Sequence, residues 1–282
     1  MKKLLKTASL SLNSCSPKDP ALFCKTGLAF LKEVGFDGAE MCTDIFPATG
    51  WEPMAEQAAQ EADQLGFPFK ICHLPFYMDP EQACRPECTE VLCRAVDQVK
   101  VLGAEYAVMH PNTVTMPVRN FDRKTAYDYV MRHLSPVAEH AAKVGVNLAV
   151  ENMRLVPGIR QSHRYCQDAD ELCEVADALG VSICWDFGHA NLAGFKQSEA
   201  LQYIGKRLKV LHINDNRGTD DDHTPPFVGN VDWKDAMHGL ALAEFDGCLN
   251  YEVNASGVPA ELRKDFAKYL VSAADTLMGY IV

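Results

Sequence analysis

Four short stretches in the second half of the chain decide the fold: residues 147–152 read NLAVEN, residues 182–189 SICWDFGH, residues 208–215 LKVLHIND and residues 248–254 CLNYEVN. Each contains a short apolar run, as expected for a strand that is buried on both faces. Each run also leads into a side chain that can bind a metal: Glu151, Asp186, His212 and Glu252. Charge buried at four strand ends costs free energy unless a partner offsets it, and a shared divalent cation would do so.

The first half of the chain has four similar runs: LLKTASLSL, DGAEMC, FKICHLP and EYAVMHP. Amphipathic stretches separate the eight runs, and several of them close on a glycine, which is typical of a helix end: Gly35, Gly66, Gly103, Gly145 and Gly180. Alternating strands and helices predict an α/β fold with a parallel sheet closed into a (β/α)8 TIM barrel, as a single domain over residues 1–282. A doubly wound open sheet is the alternative. It is less favoured because SLNSCSPKDP, and no G-x-G-x-x-G motif, follows the first run.

Composition narrows the classes of function. The formal net charge of −11 opposes the long-range attraction of a polyanion, so we expect no nucleic-acid partner. The amino-terminal MKKLLKTASLSLNSCS superficially resembles a signal peptide, but Lys6 interrupts its apolar run, so we interpret it as the first strand. No apolar stretch approaches the roughly 18 residues of a membrane span. Eleven cysteines without a CxxC pair indicate reduced thiols in a cytoplasmic protein, and Cys84, Cys88 and Cys93 are not expected to bind metal.

The predicted strand ends indicate the chemistry. In a TIM barrel the catalytic residues lie at the carboxyl ends of the strands, where His73 and His110 join the four residues above. Three carboxylates and one imidazole form a mostly hard donor set, which favours Mn²⁺, Mg²⁺ or Co²⁺ and still admits Zn²⁺. We expect one ion, preferably Mn²⁺, bound by Glu151, Asp186, His212 and Glu252.

Three motifs, WDFGHAN at 185–191, HIND at 212–215 and DDHTPPFVGNVDW at 221–233, resemble those of xylose isomerase-like TIM barrels. That family includes sugar and sugar-phosphate isomerases, ketose 3-epimerases and, more distantly, endonuclease IV, and the resemblance spans nearly the whole chain. It implies that Glu151 and Glu252 both bind the ion and transfer a proton on opposite sides of the reacting carbon, through an enediolate. We expect five further residues to contact the substrate: His73, His110, His189, Arg217 and His223.

The resulting prediction is a metal-dependent isomerase or epimerase of a sugar, sugar phosphate or related keto-polyol in carbohydrate metabolism. We expect Phe46, Trp51, Phe76 and Tyr77 to form an apolar wall over the sugar. The segment ENMRLVPG departs from the epimerase pattern, because Arg154 stands near the place of an acidic residue. We expect a small carbohydrate as partner and no membrane, and the sequence leaves a homo-oligomer open.

Three alternatives stay open. The first is an endonuclease IV-like hydrolase with three zinc ions, for which the additional ligands would be His73, His110, His189, Asp221 and His223. Against it, the segments TDIFPATGWEP and LPFYMDPEQAC after the second and third strands are apolar or acidic where a DNA site needs Arg and Lys. The second alternative is a dehydratase of a keto-polyol, which uses the same base for elimination. The third is a barrel that has kept only a binding role.

Overall fold

The computed structural model describes residues 4–13, 15–76, 85–113, 115–155 and 162–281. The strands in these ranges are β1 Leu5–Ser9, β2 Gly38–Cys42, β3 Phe69–His73, β4 Tyr106–Met109, β5 Thr115–Pro117, β6 Leu148–Glu151, β7 Ser162–Arg164, β8 Ser182–Asp186, β9 Leu208–His212 and β10 Cys248–Tyr251. The α-helices are α1 Pro20–Val34, α2 Glu52–Leu65, α3 Pro86–Leu102, α4 Arg123–Val144, α5 Ala169–Leu179, α6 Phe187–Ala193, α7 Gln197–Ile204, α8 Trp233–Leu242 and α9 Arg263–Met278.

Eight of the strands form one parallel sheet, in the order β10, β1, β2, β3, β4, β6, β8, β9. The two ends of this order meet just after β9. There the Ile213 N–H donates to the Asn250 carbonyl at 2.7 Å, and the Glu252 N–H donates to the Ile213 carbonyl at 3.2 Å. The sheet is therefore a nearly closed TIM barrel of a single domain, and the prediction of a barrel over an open sheet is confirmed.

The interior of the barrel is filled by side chains, as its apolar strands require. Ile71, Val108, Ala149, Cys184 and Val210 come from five different strands and form one small buried cluster. A much larger core lies between the strands and the helices and includes fully buried residues such as Trp185 and Tyr251. The small buried cluster fills the part of the barrel that lies below the carboxyl ends of its five strands.

Helix ends follow the sequence signals. All five glycines predicted to end helices do so with positive φ, a conformation that costs glycine little. At the helix starts, the carboxylates of Asp19, Asp122 and Asp232 accept hydrogen bonds from first-turn amides. Across the described residues, every helix is too short or too polar to cross a bilayer.

Strands β5 and β7 were not predicted from the sequence. They form a two-stranded antiparallel sheet in which Thr115 pairs with Arg164 and Pro117 pairs with Ser162. β5 follows β4 and β7 follows β6, so two neighbouring loops are joined to each other at the carboxyl-terminal rim of the barrel. Each of these strands has only three residues, and β5 ends on a proline. Such short strands show no alternation of apolar and polar residues from which they could be predicted.

Candidate active site

The predicted strand-end residues meet around one cavity of about 230 Å³ at the carboxyl-terminal rim. Asp186 and His212 are fully buried at this rim. The cavity is lined by Cys42, His73, Phe76, His110, Glu151, Met153, Arg154, Arg164, His189, Asp221, His223 and Glu252. Residues from distant parts of the sequence are therefore brought together as the barrel prediction requires.

Glu151, Asp186, His212 and Glu252, the central group, each direct a ligand atom into a space where all four atoms lie within 4.8 Å of one another. Nδ1 of His212 lies 3.2 Å from a carboxylate oxygen of Glu151 and 3.2 Å from one of Glu252. Within the described ranges, Nδ1 of His212 and both carboxylate oxygens of Glu151 are buried without a hydrogen-bond partner. Such atoms cost about 1–3 kcal/mol each when unsatisfied, and a shared cation would satisfy them, so the donor set fits a divalent metal.

Glu40 sets the orientation of His212. A carboxylate oxygen of Glu40 accepts from Nε2 of His212 at 3.0 Å, and its second oxygen accepts from the Asn250 amide at 2.9 Å. Burial favours a higher pKa for the Glu40 carboxyl, but the imidazoles of His212 and His73 outweigh it and hold the pKa below its usual range. Because Nε2 carries the proton, the lone pair of Nδ1 points to the centre of the group, as in carboxylate–histidine–metal arrangements.

We predict that Glu40→Gln weakens Mn²⁺ binding about tenfold, although Glu40 is not itself in the central group. Gln can still accept from Nε2 of His212, but it removes the charge that makes the imidazole a better ligand, and changes of this kind cost about 10–100-fold in metal affinity. Calorimetric titration of the metal-free protein with Mn²⁺ measures the effect. Exposed Glu105, changed to Gln, is the control. Equal affinities of Glu40→Gln and wild type would contradict the orienting role.

Asp186 is held rigidly at the start of α6, which explains the WDFGHAN motif. One carboxylate oxygen accepts from the His189 N–H at 2.6 Å, and the other accepts from the Asn214 amide at 2.6 Å. Asn152 hydrogen-bonds both the N–H and the carbonyl of Asp186. A side chain at Gly188 would collide with Asn214, so glycine at this position allows Asn214 to reach the carboxylate.

Two further sets of ligand atoms flank the central group. In the first, Nε2 of His73 and Nε2 of His110 lie 3.4 and 3.2 Å from the same oxygen of Glu151. Nδ1 of His73 donates to the Leu74 carbonyl at 2.7 Å, which leaves Nε2 without a proton in the neutral ring. Burial lowers the pKa of His110 to about 4, so that its imidazole is neutral at physiological pH and can act as a ligand.

The second flanking set consists of His189, Asp221 and His223. Nε2 of His189 and Nε2 of His223 lie 3.6 and 3.4 Å from the two carboxylate oxygens of Asp221. Both imidazoles donate from Nδ1 to backbone carbonyls, His189 to Asn152 and His223 to Glu252, each at 2.8 Å. Burial opposes their protonation, but the surrounding carboxylates raise the pKa of His189 to about 9 and that of His223 to about 10.

The two glutamates of the central group lie in different electrostatic environments. Burial favours a higher pKa for Glu151, but the interaction with His212 outweighs it and holds the pKa well below its usual range. Burial raises the pKa of Glu252, and the negative charges of Glu151 and Glu40 add to the increase against the opposing effect of His212 and His223. One carboxyl group with a lowered pKa and one with a raised pKa therefore face the same space. Such pairs are common where proton transfer occurs.

Several predicted contacts are not in the cavity. Arg217 is exposed and is not among the residues that line the cavity, and its substrate contact stays a prediction. Of the predicted apolar wall, Phe76 lines the cavity, and its ring centroid lies 4.8 Å from that of His110. Phe46 and Trp51 are buried in the hydrophobic core instead, where large apolar side chains are most stable. Tyr77 and Cys84 lie outside the described residues.

Sequence reasoning missed two kinds of residue at this rim. Glu40 was overlooked, although a glutamate within the buried run GAEMC was a signal that it has a charged partner. Arg154 was noted only as a departure from the epimerase pattern, and Arg164 gave no signal because β7 was not predicted. Both arginines line the cavity in the place where the exposed Arg217 had been expected.

The family model described as xylose isomerase-like TIM barrel matches residues 28–272 of the chain. The chain belongs to the xylose isomerase-like TIM barrel family. Fructoselysine 3-epimerase of Shigella flexneri is 24% identical over 201 residues, which cover 67% of this chain and 64% of that protein. An uncharacterised protein of Methanocaldococcus jannaschii, MJ1311, is 28% identical over 191 residues, or 64% of this chain and 63% of the relative.

Among solved structures, D-psicose 3-epimerase of Clostridium cellulolyticum H10 with D-tagatose superimposes with a TM-score of 0.76. The sequence identity is 13%, and the superposition covers 98% of this family member and 99% of the epimerase. At this identity the superposition shows a shared fold. The matched regions span 53% to 64% of the length of the four curated relatives.

Proposed function

We propose that this family member is a divalent-metal-dependent isomerase or epimerase of a sugar or related keto-polyol. The observation that carries the proposal is that Glu151 and Glu252 approach the same atom, Nδ1 of His212, to 3.2 Å each. Two carboxylates thereby face one small space at the bottom of a cavity that opens to solvent. The relatives named as sugar 3-epimerases support this class of reaction.

The four residues Glu151, Asp186, His212 and Glu252 would hold one ion, for which Mn²⁺ is our first choice. Such a cation supplies Lewis-acid polarisation of the substrate carbonyl. One glutamate then removes the proton from the adjacent carbon, and the other returns a proton on the opposite side. His189 and His223 lie at the same cavity and would hydrogen-bond substrate hydroxyl groups. Phe76 would cover an apolar face of the sugar.

Deuterium exchange tests the reaction directly. The Mn²⁺-loaded protein in D₂O, given a panel of ketoses, is expected to place deuterium on the carbon next to the carbonyl of at least one ketose and to form its epimer or isomer. Proton NMR follows both events. The protein treated with a chelator is the control and should show neither. Failure of the loaded protein to exchange any ketose, with the metal shown to be bound, would contradict the proposed function.

The sequence also left open a zinc-dependent phosphodiesterase of the endonuclease IV kind, which would use the two flanking sets as well as the central group. All nine residues expected for a three-zinc site lie in three sets of converging ligand atoms, and Glu151 belongs to two of them. Nicking of a duplex that contains an abasic site would support this function. It would require zinc at all three sets, whereas the isomerase needs an ion only at the central group.

A further inference from the structure

Arg164 is a buried cation at the edge of the cavity. The residue is only 7% exposed, and it is one of those that line the cavity. Among the described residues, its hydrogen-bond partners are neutral: Nε donates to the Thr113 carbonyl at 3.4 Å, and its backbone N–H donates to the Gln167 side chain at 3.1 Å. No carboxylate of the described ranges lies within 4.0 Å of its guanidinium. A buried charge without a counter-charge is costly, so this arginine is a candidate for binding an anion.

The neighbouring arginine is already neutralised. Nε of Arg154 lies 3.0 Å from a carboxylate oxygen of Asp221, and this ion pair stands at the same cavity. Burial, together with the repulsion of Arg154, lowers the pKa of Arg164 to about 10. At that value the guanidinium still carries its full charge at neutral pH. Arg164 therefore faces the cavity as a positive charge without a direct ion-pair partner among the described residues, with Asp221 attracting it only from beyond 4.0 Å.

The position of Arg164 is fixed by the backbone of β7. β7 is fixed to β5 by backbone pairing, and Arg164 itself is the residue that pairs with Thr115. The cation is thus placed by a regular element at a defined distance along the rim.

We propose that Arg164 binds an anionic group of the substrate, either a carboxylate or a phosphate monoester. The planar guanidinium suits both, because it presents parallel N–H donors to two oxygens of one group. The inference rests on the proposed function, since it assigns the substrate of that site to acidic or phosphorylated keto-sugars. Neutral keto-sugars would bind to the central group and leave Arg164 without a counter-charge.

Anion titration tests the site independently of turnover. The Mn²⁺-loaded wild type, Arg164→Gln and Arg164→Lys are titrated with inorganic phosphate and, separately, with acetate, at equal metal content. We expect the wild type to bind at least one of the two anions, Arg164→Gln to bind it at least about tenfold more weakly, and Arg164→Lys to lie between them. The preferred anion distinguishes phosphate from carboxylate.

The matched control is Arg207→Gln, which removes a partly exposed guanidinium that pairs with Asp177. Arg207 directly precedes β9 and therefore lies at the end of the barrel opposite the cavity. It should bind both anions as the wild type does. Equal affinity of wild type and Arg164→Gln would overturn the proposal. If Arg164→Gln does not fold, as judged by its melting curve, wild-type affinity in Arg164→Lys would overturn it instead, because Lys cannot make the two parallel hydrogen bonds.

Turnover separates this proposal from the proposed function. With D-fructose, D-fructose 6-phosphate and D-fructuronate as probes, Arg164→Gln should lower exchange of a charged ketose at least about tenfold and leave that of the neutral ketose within about threefold. Equal losses on all three would overturn the role of Arg164 while the isomerase function stands. Weakened anion binding without exchange of any ketose would support the anion site while the isomerase function fails.

Discussion

Replacing Glu252 with Gln is expected to lower kcat for the exchanging ketose by at least about 1,000-fold and to leave the protein folded. Gln has the shape of Glu but cannot accept or return a proton, and loss of a positioned acid or base costs about 10²–10⁴-fold. The substitution also removes one of the four central ligands. Deuterium exchange measures the proton-transfer step. It is measured under saturating Mn²⁺, because saturation compensates for weaker metal binding by the variant.

The stability of Glu252→Gln should differ little from that of the wild type without metal. Burial and the nearby carboxylates raise the pKa of Glu252, which means that its charge is unfavourable in the folded state. Removing that charge therefore leaves the free energy of unfolding unchanged or slightly higher. Exposed Glu261, changed to Gln, serves as the control for turnover. Turnover of Glu252→Gln within about tenfold of the wild type would remove Glu252 from proton transfer.

The barrel could be predicted from the sequence because its strands are buried on both faces. A fully buried strand must be a short apolar run, and eight such runs separated by amphipathic helices leave few alternative topologies. The barrel then determines that all carboxyl ends meet at one rim. For this reason residues as distant as His73 and Glu252 could be assigned to one rim from the sequence.

The parts that were missed depend on tertiary contacts without a periodic signal. Arg164 lies in a three-residue strand, and its position depends on pairing with a loop 49 residues earlier in the chain, at Thr115. Phe46 and Trp51 lie in the segment after β2, where a surface loop was expected. They are buried because they pack into the large hydrophobic core, and such a tertiary contact has no signal in the local sequence. Glu40 faces the interior of the barrel, and its role depends on which histidine stands opposite.

The number of bound ions is expected to separate the two candidate functions. If the protein is an isomerase, the purified chain loaded with Mn²⁺ should hold one ion at the central group. Saturation at about 1,000 times the dissociation constant should raise the free energy of unfolding by about 4 kcal/mol, because the ion binds only the folded chain. Elemental analysis gives the stoichiometry, and thermal unfolding with and without Mn²⁺ gives the stabilisation.

Two variants assign the ion to its residues. Asp186→Asn keeps the hydrogen bond from the His189 N–H but removes the charge, so the stabilisation by Mn²⁺ should largely disappear. The double variant His189→Ala with His223→Ala removes both imidazoles of the second flanking set and should keep the single Mn²⁺. Three zinc ions per wild-type chain, reduced to two by the double variant, would instead indicate that the flanking sets are metal sites and favour the hydrolase. Glu151 would then bind two ions at once. A carboxylate bound to two ions is less able to accept a proton.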